Sequence, residues 1–337
     1  MRFGIRIPAC QPATAVADAV VQAERDGFEY AWIPDSQLLW RDPWVALGTA
    51  APRTSSIILG TNVTNPLTRH ASVTASAAAA VEEMSPDRFV LGIGSGDSSV
   101  RVMGWKTAKI SELDEYVSIF RSLVEGDWIS PYGKQIRMKS SQGRAIPVYI
   151  SATGPNMLRF AGRVADGIIL LAGISPDTLQ FSRERIAEGA GEAGRNPDDI
   201  DVATGLFFRL TDGSPEGRKA AQPYAALYAM RYRESLPDFK DVIPDTVGAG
   251  KVYPDIGHAE DWDEAIELTN WLPTEVLDVF VDKYCIMGTE ADVLDRVRQL
   301  HALGVNHLYI RGFSSYEIPT IEAKTFADIV IPEMRDT

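Results

Sequence analysis

The chain has 337 residues, 45% hydrophobic and 23% charged, with a formal net charge of −13. That is ordinary globular composition, long enough to bury a large core. The acidity excludes a nucleic-acid surface, which needs clustered Lys and Arg, and disfavours adsorption to an anionic membrane.

In chain order, the apolar run at 3–7 predicts a first strand. An amphipathic helix follows at 14–26, with Thr14 as N-cap and Gly27 as its stop. Residues 30–33 read as strand two and 57–59 as strand three, with an Ala-rich helix at 70–84. Strand four is predicted at 89–93, then a helix at 111–125 with Ser111 as N-cap. Strands at 148–150 and 167–171 flank a helix at 156–164. Strand seven falls at 201–210 and strand eight at 307–310, preceded by a helix at 290–303 that Gly304 closes. These runs are short, continuously apolar and separated by helices, as strands buried on both faces of a parallel sheet are. Eight of them predict a single closed (β/α)8 TIM barrel over 1–337. An open dinucleotide-binding sheet would need a glycine-rich turn after its first strand, and Pro8-Ala-Cys-Gln-Pro12 contains no glycine. Two insertions, 126–144 and 211–280, are expected over the C-terminal ends of the strands.

No run reaches the roughly 18 apolar residues of a membrane span, and the first residues do not read as a signal peptide. Cys10 and Cys285 stand apart from each other and from any Cys/His cluster. They read as reduced thiols of a cytoplasmic protein, with no metal site. His258, His301 and His307 also lack metal-ligand spacing, and His70 reads as a helix cap.

In a barrel the first residues after each strand line the mouth. Here these are short polar loops at 34–37, 60–66, 94–98, 151–155 and 173–175. Loops of this kind, leading into helix N-termini, offer backbone N–H groups to a phosphate or a polar ring edge. Trp40, Trp44 and Trp105 lie near them and wall a pocket or simply pack.

The segments LGTNVTNPLTRH (59–70), LGIGSGD (91–97), ATGP (152–155) and AGRVADG (161–167) resemble the luciferase-like monooxygenase superfamily. VTNP-x-TRH (63–70) is most similar to its branch of methylenetetrahydromethanopterin reductase and other F420-dependent enzymes. The likeness is good over 1–200, poor over 211–280, and returns at Met287–Glu290. It implies a small-molecule oxidoreductase using coenzyme F420, or alternatively an FMN-dependent monooxygenase served by a partner flavin reductase. It also implies a homodimer, through a small-residue face at 71–80. Carried over position by position, it implies a non-prolyl cis peptide at Asn62–Val63 against the cofactor ring. Asp35, which reaches the ring or its ribityl-like chain, and Thr64, Ser95, Gly96 and Asp97 are then cofactor contacts, with Asp97, Asp35 and Ser36 the catalytic candidates. Asp97 is the candidate acid, which burial against an apolar ring would suit by raising its pKa. Ala152, Thr153, Gly154, Pro155 and Asn156, with Gly173 and Ile174, are implied as the phosphate site. Ser36 stands where F420-dependent dehydrogenases often carry histidine. An unassisted serine is a poor base near pH 7, which argues against alcohol oxidation in the manner of the sugar-phosphate dehydrogenases. A third reading, a non-catalytic barrel that senses or carries a ligand, remains open at this point.

Overall fold

A computed structural model describes residues 1–247 and 252–335; part of the 211–280 insertion, positions 248–251, lies outside the described residues. In chain order the main elements are β1 (Arg2–Arg6), α1 (Ala13–Arg25), β2 (Tyr30–Ile33), α2 (Pro43–Ala50), β3 (Ile58–Thr61), α3 (Ala71–Met84), β4 (Phe89–Ile93), α4 (Ser98–Arg101) and α5 (Ile110–Glu125). These lead into β5 (Val148–Ala152), α6 (Pro155–Val164), β6 (Gly167–Leu170), α7 (Pro176–Glu192), β7 (Asp201–Leu210), α8 (Gln222–Arg231) and α9 (Trp262–Leu268). The chain ends with α10 (Thr274–Tyr284), β8 (Cys285–Gly288), α11 (Glu290–Ala302), β9 (His307–Arg311) and α12 (Thr320–Met334). All strand pairings in the sheet are parallel. β1 to β7 and β9 close into an eight-stranded barrel, because β7 pairs with both β6 and β9 and β9 pairs with β1. β8, which the sequence does not announce, prolongs the sheet along the far half of β7.

Local chemistry moves several boundaries. α1 begins after Pro12, whose fixed φ suits a helix start, so Thr14 lies inside it rather than capping it. α5 starts at Ile110 after Lys109, not at Ser111, because Glu112 reaches back to the Lys109 N–H at 2.7 Å. β3 and β5 run two residues further toward the mouth than expected, so Gly60, Ser151 and Ala152 are strand residues.

Alternation along the strands fills the barrel. Tyr30, Trp32, Val90, Tyr149, Ile169, Ala203 and Tyr309 pack as one interior cluster. The Tyr30 and Trp32 rings stack at 5.6 Å, and Trp32 meets Tyr149 at 5.7 Å. A methyl group on Gly60 would lie 2.6 Å from the indole of Trp32, so β3 passes this ring only as glycine. Where the strands begin, Asp201 accepts from Arg2 at 2.6 Å and from the Tyr149 hydroxyl at 2.7 Å, with His307 Nδ1 also 2.7 Å away. Burial would raise this carboxyl, but His307, Tyr149 and Arg2 together outweigh it and hold Asp201 below the usual range.

The small-residue face of α3 is mostly used within the protomer, where Ala71, Ala75, Ala78 and Ala79 are buried. The 126–144 insertion carries an antiparallel bridge between Ile129 and Ile136, and its Tyr132 hydroxyl lies 2.8 Å from His70 Nε2. His70 caps α3, its Nδ1 accepting from the Ser72 N–H. The 211–280 insertion supplies Tyr224, Trp262 and Leu277 to a second core around Phe207 and Phe313. Among the described residues no helix is long and apolar enough to cross a membrane.

Candidate active site

The loops after β2, β3 and β4 are sewn into one rim. Asp35 is buried and accepts from Thr64 Oγ1 at 2.8 Å and from Arg69 Nε at 3.0 Å, while Arg69 also reaches Asp42 at 2.6 Å. Ser36 Oγ lies 2.7 Å from Ser98 Oγ, Gln37 donates to the Ser99 carbonyl at 3.0 Å, and Asn65 donates to Ser99 Oγ at 3.1 Å. The Asn62–Val63 peptide is cis, as the family resemblance implies. Asn62 donates its backbone N–H to Ile33 O, but its buried Nδ2 has no hydrogen-bond partner. Val63 leans on the interior aromatic cluster. A Cβ on Gly94 would meet both Val63 and Ser151 at 3.2 Å, so the β4 loop crosses the bulge at close quarters. Ser95 holds the start of α5 in place through its carbonyl, which accepts from Ala108 at 2.8 Å, and Gly96 takes the left-handed turn that follows at φ 90°. Thr64 is fully enclosed and spends its hydroxyl on Asp35, so it braces the rim from behind.

Asp97 differs from expectation. Its side chain is 67% exposed, paired with Arg101 at 2.6 Å and with Arg231 of α8 at 3.7 Å. It stands on the lip of the mouth and lacks the apolar burial that an acid role would use. The helix it precedes is too short to seat it deeper, and Gly96 turns the chain outward just before it.

Across the mouth, α6 begins at Gly154 and Pro155 with no side chain capping it, leaving first-turn N–H groups without intrahelical partners. Nothing lies within 4 Å of where a Gly154 Cβ would stand, and Thr153, Pro155 and Asn156 are exposed. Ala152 is a buried strand residue and packs the core instead. Ile174 is likewise fully buried, its N–H taken by the Lys283 carbonyl at 2.8 Å, and Gly173 at φ 107° makes room for the Lys283 side chain. The open end of α6 is therefore the accessible part of the expected phosphate site.

The third wall was not foreseen from the sequence. Arg6 and Arg311 end the neighbouring strands β1 and β9, one position beyond the paired Ile5 and Ile310. Arg6 lies over the Trp40 ring at 5.1 Å. Arg311 lies over Phe207 at 4.1 Å and donates to the Tyr224 hydroxyl at 3.2 Å. Trp40 donates to Ser315 O at 2.7 Å, Tyr224 and Ser315 hydroxyls are 3.0 Å apart, and His258 Nδ1 lies 2.9 Å from Asp255. Burial, then the neighbouring Arg311, lowers the pKa of Arg6 to about 10. Period-two alternation was the available signal: Gly4 faces the barrel interior, so Arg2 and Arg6 do as well. Trp44 packs on Phe89 in the core, Trp40 walls the mouth beside Arg6, and the half-exposed Trp105 lines an outer cleft with Leu67 and Arg101.

A parallel barrel with polar rim loops and an uncapped helix N-terminus at its mouth is a TIM barrel whose open end can seat a phosphate-bearing ligand. The chain belongs to the luciferase-like monooxygenase family, whose profile matches residues 1–307. It is 31% identical over 315 residues to the 5,10-methylenetetrahydromethanopterin reductase of Methanolobus tindarius, covering 91% of this chain and 93% of that protein. It is 34% identical over 227 residues to the F420-dependent glucose-6-phosphate dehydrogenase of Nakamurella multipartita, covering 60% of this chain and 66% of that protein. The solved coenzyme F420-dependent tetrahydromethanopterin reductase from Methanopyrus kandleri superposes with a TM-score of 0.77 at 25% identity, with 99% of each chain covered.

Proposed function

We propose that this protein is a coenzyme F420-dependent oxidoreductase that transfers a hydride between the deazaflavin and a small organic substrate. The observation that carries the reading is the likeness, across 99% of the chain, to the solved coenzyme F420-dependent tetrahydromethanopterin reductase, supported by 31% identity to a 5,10-methylenetetrahydromethanopterin reductase over 91% of the chain. The residues at the mouth fit such a cofactor. The uncapped α6 with its bare Gly154 accommodates a phosphate without a lysine. Asn62 Nδ2, buried beside the Tyr309 hydroxyl without a partner at full hydrogen-bond geometry, would be a donor for a polar ring edge.

When bound, the deazaflavin supplies a two-electron hydride donor or acceptor. The chain's own part is position and electrostatics. Thr153 and the first-turn amides of α6 would take the phosphate, and Asn62, Val63 and Gly94 would form a floor for the ring. Asp35, clamped by Thr64 and Arg69, keeps a fixed negative charge behind that floor. Ser36 and Ser98 form a hydroxyl pair at the substrate side. Asp97 ties Arg231 of the insertion to the β4 loop and closes the rim. The second reading, an FMN-dependent monooxygenase fed by a partner reductase, draws on the family's own description. Reduced F420 mixed with the protein and a panel of enones and imines, under argon, separates the two. Acceptor-dependent reoxidation of the deazaflavin without oxygen is expected; no reoxidation of F420 by any acceptor, with reduced FMN turned over in its place only once oxygen is admitted, would replace this reading with the second.

We also propose a homodimer in the cytoplasm. Val45, Val73 and Met84 of α2 and α3 remain exposed at 59, 54 and 40%, an apolar strip beside the buried alanines. The two free cysteines agree with a reducing compartment. Val73→Asp should yield monomers by light scattering; an unchanged dimer would place the interface elsewhere.

A further inference from the structure

The two arginines on the third wall lack any use in the scheme above. Among the described residues no carboxylate pairs with Arg6 or Arg311, although most arginines with as little exposure elsewhere in the chain are bound to one. Arg6 makes no hydrogen bond to the described residues, and Arg311 spends one N–H on Tyr224 while its buried Nε has no partner. Two like charges at the ends of adjacent strands repel each other, and unspent buried donors are costly, so the arrangement is unfavourable unless an anion completes it. The orientation is fixed: Trp40 lies against one guanidinium face, and Phe207 and Tyr224 against the other. Stacking engages the faces, and with Arg311 Nη2 spent on Tyr224 and its Nε buried, Arg311 Nη1 and the Arg6 side chain are the donors left to take a planar carboxylate between them. Both residues are only partly buried.

We propose that Arg6 and Arg311 form a receptor for a carboxylate carried by the substrate, so that the enzyme acts on an unsaturated or carbonyl-bearing organic acid. The proposal rests on the hydride-transfer reading for its chemistry, but the receptor itself does not need the cofactor. Tyr309, a fully buried member of the interior cluster, stands two residues before Arg311 on β9. A carboxylate held by the two arginines would leave the rest of the acid within the mouth, at the ends of β1 and β9.

The test uses the full chain and measures binding rather than turnover. Hexanoate, hexanamide and inorganic phosphate are titrated calorimetrically into wild type, Arg6→Met and Arg311→Met, and F420 is titrated into the same three proteins. Hexanoate should bind wild type at least tenfold more tightly than hexanamide. Each substitution should weaken hexanoate roughly 10- to 100-fold and leave F420 within about threefold of wild type. Because a repelling charge is removed, the free variants should melt no lower than wild type, which separates lost binding from lost folding. Equal binding of acid and amide, or phosphate bound in preference to hexanoate, would overturn the carboxylate receptor. So would loss of F420 binding in both variants, which would assign the pair to the cofactor. Wild type that binds hexanoate through the two arginines but not F420 would retain the receptor and remove only the cofactor reading.

Discussion

Asp35 is the residue on which the rim depends, because it is buried, charged and held by groups from two other segments. Asp35→Asn keeps its shape and discards its charge, leaving Arg69 with Asp42 alone. We expect a loss of about 1–3 kcal/mol in urea unfolding and F420 affinity lower by roughly tenfold or more. An unchanged affinity would remove Asp35 from the cofactor site. Asp97→Asn, by contrast, breaks only exposed ion pairs and should alter F420 affinity by less than about threefold. At this scale the sequence was readable where a motif fixes the backbone, as at Asn62–Val63. It was not readable where exposure decides, as at Asp97 and Ile174, because both turn on which way a loop faces. Arg6 and Arg311 were missed because alternation was read for apolar residues and not for charged ones inside the barrel.

Among the elements, α6 has the most direct functional consequence. Its N-terminus is uncapped, so Asn156→Asp acts in opposite senses on fold and ligand. A carboxylate in the first turn stabilises a helix by about 0.5 kcal/mol, yet it repels a phosphate docked there. We expect an unchanged or slightly higher melting temperature and F420 binding weakened by roughly tenfold or more. Weaker binding with an equally lowered melting temperature would mean that the helix, not the phosphate, was disturbed. The eight barrel strands were legible because both-face burial leaves continuous apolar runs. β8 was not, since four residues straight after a helix carry no turn signal. Helix starts slipped wherever Pro12 or a reach-back carboxylate such as Glu112 outcompeted an apparent Ser or Thr cap.

For the whole molecule, stability and function occupy opposite ends of the barrel, with the Asp201 network where the strands begin and the mouth where they end. An unfolded aspartate titrates near about 3.9, and Asp201 titrates lower when folded. Its contribution is therefore fully present above the unfolded value and lost as pH falls through the folded one. Asp201→Asn should cost about 2–4 kcal/mol at pH 7 by urea unfolding, and the gap to wild type should shrink below pH of about 4. A gap of constant size across that range would contradict the linkage. The barrel followed from the strand–helix rhythm, but the 211–280 insertion did not. Its second core assembles around Phe207 and Phe313, which lie on opposite sides of it in sequence, and no local pattern encodes that contact.

The central claim is that this mouth is made for a deazaflavin, and the direct measurement is a fluorescence titration of the purified apoprotein with oxidised F420 and, separately, with FMN. The account expects tight, saturable binding of F420 and binding of FMN weaker by at least tenfold. Tight FMN with weak F420 would contradict it and move the protein to the flavin-dependent monooxygenases of its family.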